Sequence, residues 1–219
     1  MPQDIEKASF DFYSKNHHER HYSHPVITQF AKPKVDWLKS KVNFKGKKVL
    51  EVGGGNGYLS QFLNPLCDLT VLDISEHELA NNPAKTKVCG SAYQLPFEAN
   101  SFDIVFCSNL LHHLNFPQKA LAEMRRVSKD LVIISEPNII NPLMFFGVWL
   151  FPHERGAHRF TKNYLLNLFS QAQLKLLDHT FLGGMVMPNA TPNIPFISRP
   201  ESTSPLSFFQ ILIGQKTNQ

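Results

Sequence analysis

From Lys48 onward, short apolar runs alternate with stretches of helical period. Residues 48–52, 69–73, 86–89, 103–107 and 131–135 are apolar at successive positions rather than at every second one. That pattern predicts strands of a parallel sheet buried on both faces. Between them, 57–63 and Glu76–Asn82 read as short helices. Pro117–Val127 reads as an amphipathic helix, with Ala120, Leu121, Met124 and Val127 on one side and Pro117 suited to its first turn. Upstream, Pro25–Val42 is helical in period, with Phe30, Trp37 and Leu38 apolar, and Pro33 is expected to break it or to start a second helix. Strand–helix alternation implies parallel βαβ units and a doubly wound α/β fold.

After Glu136 the spacing changes. Asn141–Phe151 is a helix candidate that is apolar all round, and Thr161–Gln171 is another, with Thr161 as its N-cap. Leu174–Leu182 and Ser207–Ile213 then read as strands joined by a Pro-rich loop (188–205). No helix separates these two strands, so they are expected to pair antiparallel. No internal repeat, low-complexity tract or linker interrupts the chain. Residues 1–219 are therefore read as one domain, with 1–45 as an N-terminal helical cap and 137–172 as a helical insert.

Composition narrows the class. Over 219 residues, 42% hydrophobic and 18% charged residues are globular values. The net charge of +4 comes with an excess of Lys and Arg in the first 48 residues, but no dense basic patch with interleaved aromatics appears. A solvated face is the preferred reading, and nucleic acid is not an expected partner. Cys67, Cys89 and Cys107 lie in or beside apolar runs without C-x-x-C spacing, as buried reduced thiols would. The polar N-terminus lacks a signal-type apolar stretch, and Leu143–Phe151 is too short to span a bilayer. A cytoplasmic location is expected. His17 and His21, four apart, could share a helix face, but only Glu19 lies near them and it points elsewhere, so no metal site is read there. The aromatic segment around Phe10, Phe12 and Tyr13 is read as a mobile cap or plain surface.

The chemistry gathers where the first apolar run stops. Val49–Val52 ends in Gly53, Gly54, Gly55 and Gly57, and Tyr58–Leu63 begins a helix. Glycines there let the backbone turn and let a ligand approach main-chain atoms, while the helix start offers free N–H groups. The dinucleotide rule, G-x-G-x-x-G, fails at Tyr58, which disfavours an NAD-linked dehydrogenase. The competing reading at this point is an ordinary tight strand-to-helix turn. Asp73 ends the second run, about 20 residues past the glycines, where an acid can accept both ribose hydroxyls.

Glu51-x-Gly53-x-Gly55-x-Gly57 resembles motif I of the class I S-adenosylmethionine-dependent methyltransferases. The run Gly90-Ser91-Ala92-Tyr93-Gln94-Leu95-Pro96-Phe97, closing on Ser101-Phe102-Asp103-Ile104-Val105, resembles a second segment of that family, and Ser108–Leu114 continues the likeness. The resemblance covers about residues 46–136. It implies a seven-stranded sheet, mostly parallel with the last strand antiparallel, and S-adenosylmethionine as cofactor, leaving as S-adenosylhomocysteine. It further implies that Gly53, Gly54, Gly55 and Gly57 hold the methionine moiety with Glu51 nearby. Asp73 and Ile74 would flank the adenosine, Ser91 and Ala92 the adenine edge, and Asn109 the ammonium. Ser91 departs from the family, which commonly has an acid there; a hydroxyl accepts the same bond without charge assistance.

The expected activity is methyl transfer to a small-molecule acceptor, apolar or aromatic if 143–151 forms one wall of its pocket. The loop from Gly183 to Pro195 could close the other side. The bland reading of 143–151 is a core helix or a homodimer interface. His112, His153 and His158 are the candidate bases, although the His112-His113 pair reads first as scaffold at a helix start. The rival readings are a non-catalytic S-adenosylmethionine-binding module and an RNA or protein methyltransferase.

Overall fold

The computed structural model describes residues 20–150, 152–183 and 204–217, with only the backbone at 152, 153 and 155. Helix α1 (Pro25–Lys41) precedes β1 (Lys48–Val52), the single turn α2 (Ser60–Leu63), β2 (Asp68–Asp73), α3 (Glu76–Asn81) and β3 (Thr86–Cys89). Then come β4 (Phe102–Ser108), a 3-10 turn (Leu111–His113), α4 (Pro117–Val127) and β5 (Ser128–Pro137). Helix α5 (Pro142–Leu150), a 3-10 stretch (Pro152–Arg159), α6 (Lys162–Gln171), β6 (Leu174–Leu182) and β7 (Phe209–Lys216) complete the order.

The strands form one seven-stranded sheet in the order β3-β2-β1-β4-β5-β7-β6. All neighbours are parallel except β7, which runs antiparallel to both β5 and β6. The expected doubly wound sheet and its antiparallel closure are therefore present. Alternation along the strands builds two cores. Val49, Val71, Ile104, Phe106 and Ile133 point to the side packed by α1 and by Met144 and Val148 of α5. Leu50, Val52, Leu72, Val105, Val132 and Ile134 point to the side packed by Leu121 and Met124 of α4 and Leu165 and Leu168 of α6. Burial on both faces is what the unbroken apolar runs required.

Several expectations change. Pro33 lies inside a continuous α1 and does not break it. The helix keeps its course because Val26, Ile27, Phe30, Ala31, Val35 and Leu38 are all buried, and that packing outweighs the missing N–H of Pro33. Its start is capped by His24, whose Nδ1 accepts from the Val26 N–H at 3.2 Å. The helix expected over 57–63 is reduced to the single turn 60–63, because the glycine loop extends to Leu59. Helix α5 forms, but not as a core helix: only Met144 and Val148 are buried, while Phe146 is 67% and Trp149 57% exposed. Of the three cysteines only Cys107 is buried; Cys89 is exposed because it ends the edge strand β3. Among the described residues, no helix is long and apolar enough to cross a membrane. Residues 1–19 of the cap, His17 among them, and nearly all of the Pro-rich loop lie outside the described residues.

Candidate active site

Strands β1 and β4 lie side by side at the point where the strand order reverses, with Val52 opposite Cys107. In open sheets of this kind the usual ligand position is outside the carboxyl ends of the strands at such a reversal. The glycine loop leaves β1 at this point. Its first N–H, from Gly53, donates to Leu72 O at 2.7 Å, so the loop folds back over β2. Gly55 has φ +47°, and a side chain there would meet only the Asp73 Oδ2 atom, at 3.9 Å. The space in front of this residue is a backbone-lined cradle. Gly57 has φ +95°, and a Cβ would sit 2.3 Å from Pro83 Cδ, so this position tolerates no side chain.

Asp73 faces the cradle. Its Oδ2 accepts from the Gly55 N–H at 2.8 Å and its Oδ1 from the Ser75 N–H at 2.9 Å. The carboxylate is thus oriented by two backbone donors beside the loop, as a group that receives hydroxyls must be. Ile74 follows it, half-buried.

Glu51 is the charged residue inside β1 and is fully buried. Ser60 Oγ donates to its Oε2 at 2.5 Å. Burial pushes its carboxyl up to about 7, against the Ser60 hydrogen bond and with help from the nearby Asp73 charge. Asn82, which the sequence reading missed, ties the loop from the other side. Its Nδ2 reaches Gly55 O at 2.9 Å, Ser60 Oγ at 3.0 Å and Gly54 O at 3.3 Å, while its Oδ1 accepts from the Ala84 N–H at 3.0 Å. Gln61 binds Tyr22 O at 2.5 Å and Asn56 binds Arg20 O at 3.3 Å, which brings the described start of the N-terminal segment against the loop.

Ser91 is buried, and its Oγ accepts from the Tyr93 N–H at 3.2 Å in a local turn. Ala92 packs against the α4-side core. Asn109 follows β4 in a left-handed conformation, φ +52°, which Asn tolerates better than most residues. Its N–H donates to Ser135 O at 2.8 Å, and its buried Oδ1 has no hydrogen-bond partner among the described residues. An orphaned buried acceptor beside the cradle suits a cationic donor such as an ammonium.

His112 is held differently from a poised base. Its Nδ1 lies 2.6 Å from Glu136 Oε2 and its Nε2 3.0 Å from Glu154 Oε2. Burial pulls its pKa down, but the two carboxylates override this and bring it to about 9. At neutral pH both ring nitrogens donate, and no lone pair is left to take a proton. Glu136, fully buried, also accepts from the Leu110 and Leu111 N–H groups at 3.2 and 2.9 Å, so it pins the turn after β4. Neither Glu136 nor Glu154 was singled out in the sequence. His158 packs with ring centroids 5.1 Å from both Phe145 and Trp149 of α5, and its buried Nε2 has no partner among the described residues. The His153 side chain lies outside the described residues.

A family model described as a methyltransferase domain matches residues 50–134. An uncharacterised protein of Methanocaldococcus jannaschii is 36% identical over 116 residues, 49% of this chain and 50% of its own length. A ubiquinone/menaquinone biosynthesis C-methyltransferase of Cereibacter sphaeroides is 32% identical over 126 residues, 50% of this chain and 49% of its own. The chain spans about half the length of the curated relatives it matches. Among solved structures, a SAM-dependent methyltransferase of Thermotoga maritima, described as a possible histamine N-methyltransferase, superposes with a TM-score of 0.72 at 16% identity. That match covers 98% of this chain and 99% of the other and concerns the fold. Residues 50–134, which hold the glycine loop, Asp73 and the Asn109 turn, match that methyltransferase-domain model, and the chain has the fold of the S-adenosylmethionine-dependent methyltransferases.

Proposed function

We propose that this chain transfers the methyl group of S-adenosylmethionine to a small, apolar or aromatic acceptor. The observation that carries the first half of this reading is the cradle at Gly55, faced by the doubly oriented Asp73 carboxylate and the orphaned Asn109 Oδ1. The cofactor, once bound, supplies a methyl group already activated by its sulfonium charge. Asp73 would accept from the ribose hydroxyls, the loop N–H groups would donate to the carboxylate, and Asn109 Oδ1 would accept from the ammonium. Ser91 Oγ would accept from the adenine amino group, without the charge assistance that the family's acid supplies. What remains for the protein is to align the acceptor with the methyl carbon and to keep water out.

The acceptor half rests on α5. Phe145 and Trp149 both pack against the His158 ring, so an apolar wall carries one polar atom, Nε2, that lacks a partner among the described residues. Such a wall suits a flat ring bearing one hydrogen-bonding group. The quinone-type activity printed for the Cereibacter relative agrees with a ring acceptor.

Methyl-labelled S-adenosylmethionine incubated with the full chain and a panel of hydroxylated and quinone-type rings tests this. The expected result is label in at least one ring product, with S-adenosylhomocysteine formed in equal amount. S-adenosylhomocysteine formed without any labelled product, or cofactor binding without turnover, would favour a binding module instead.

A further inference from the structure

The 3-10 turn after β4 and the 3-10 stretch after α5 meet closely: a Cβ on Gly156 would lie 1.8 Å from His112 O. At this junction one ring nitrogen each of His112 and His113 and a carboxylate oxygen of Glu154 lie within 4.8 Å of one another. Nδ1 of His112 is engaged by Glu136 at 2.6 Å, which turns Nε2 toward Glu154. A carboxylate behind the ring that fixes its tautomer is the outer support found around metal-bound histidines. Two imidazoles and one carboxylate, with a fourth position left for water or another oxygen donor, form a donor set that zinc and similar divalent ions accept. The trio is accessible from one side, since the Glu154 side chain is 27% exposed while His112 is sealed.

We infer that His112, His113 and Glu154 form a binding site for one divalent transition-metal ion of the zinc class, with Glu136 as its positioning residue. In that arrangement the ion takes the place between His112 Nε2 and Glu154 that a proton otherwise fills. It ties the segment after α5 to the turn after β4, two segments far apart in sequence.

Calorimetric titration of the untagged full-length chain with zinc chloride, after chelator treatment and dialysis, decides the matter. Glu154→Gln and His113→Ala are the informative variants, because both positions are partly exposed and neither deletes the buried His112. The expected result is one ion per chain, with affinity reduced at least about tenfold in either variant. A His17→Ala/His21→Ala double variant is expected to bind like the parent chain. Zinc should also raise the melting temperature of the parent chain and of the double variant, but not of Glu154→Gln. No saturable zinc binding, or binding that both Glu154→Gln and His113→Ala leave intact, would overturn the site.

Discussion

Glu51 sits where a strand would ordinarily hold an apolar residue, and its burial has a measurable consequence. Its folded-state carboxyl is raised to about 7 from the ordinary 4.5. The folded state therefore holds the proton more tightly than the unfolded chain does. The stability this contributes is full below about pH 4.5 and is lost as pH rises through about 7, by up to about 3 kcal/mol. Glu51→Gln keeps an acceptor for Ser60 but cannot titrate. Urea unfolding of both proteins at about pH 5 and about pH 7.5 should show the parent losing stability relative to the variant over that interval. A difference independent of pH would show that the carboxyl is not held neutral in the fold.

Asn82 acts at the same scale. Truncation to Ala removes a buried donor from two loop carbonyls and Ser60 Oγ, and an acceptor from the Ala84 N–H. A loss of roughly 2–3 kcal/mol is expected in denaturant unfolding, because several buried partners are left unmatched at once. A loss under about 0.5 kcal/mol would mean that the loop holds its shape without this tether. The glycines and Asp73 were legible in the sequence because their residue types and spacing are themselves the geometry. Asn82 was not, since its role depends on a turn that returns it to the loop from the far side of β2. Glu136 had left a sign, an acid closing an apolar run as Glu51 does within β1, whereas Glu154 gains its partner only from the packing of two distant segments.

At the scale of elements, α5 separates what periodicity can tell from what it cannot. Its uniform apolarity correctly marked a helix, yet gave no face to bury, and the structure buries only the Met144 and Val148 edge. The remaining ring-bearing face is open. Phe146→Ser should therefore change folding stability by no more than about 0.5 kcal/mol. The same substitution should raise KM for a ring acceptor with little change in the affinity for S-adenosylmethionine. A drop of more than about 2 kcal/mol in unfolding free energy would place Phe146 in the core instead. An unchanged KM would detach this face from the acceptor. Pro33 makes the complementary point, for a local breaker is overruled when a long apolar stripe on the same helix is buried.

For the molecule as a whole, sheet order matters more than any single contact. The reversal between β1 and β4 brings the Gly53–Gly57 loop, the end of β2 and the Asn109 turn to one end of the sheet, although they are spread over more than fifty residues of chain. The sequence showed a sheet covered on both faces, through runs apolar at successive positions, and its antiparallel closure, through two strands that lack a crossover helix; the strand order itself is set by long-range pairing that no local pattern records. The central claim is that this site is built for S-adenosylmethionine. Calorimetric titration of the parent chain and Asp73→Asn with S-adenosylmethionine, with NAD as control, tests it most directly. One-to-one binding to the parent, no heat from NAD, and affinity about 10- to 100-fold weaker in Asp73→Asn are expected. No heat from S-adenosylmethionine, or equal affinity in the variant, would contradict it.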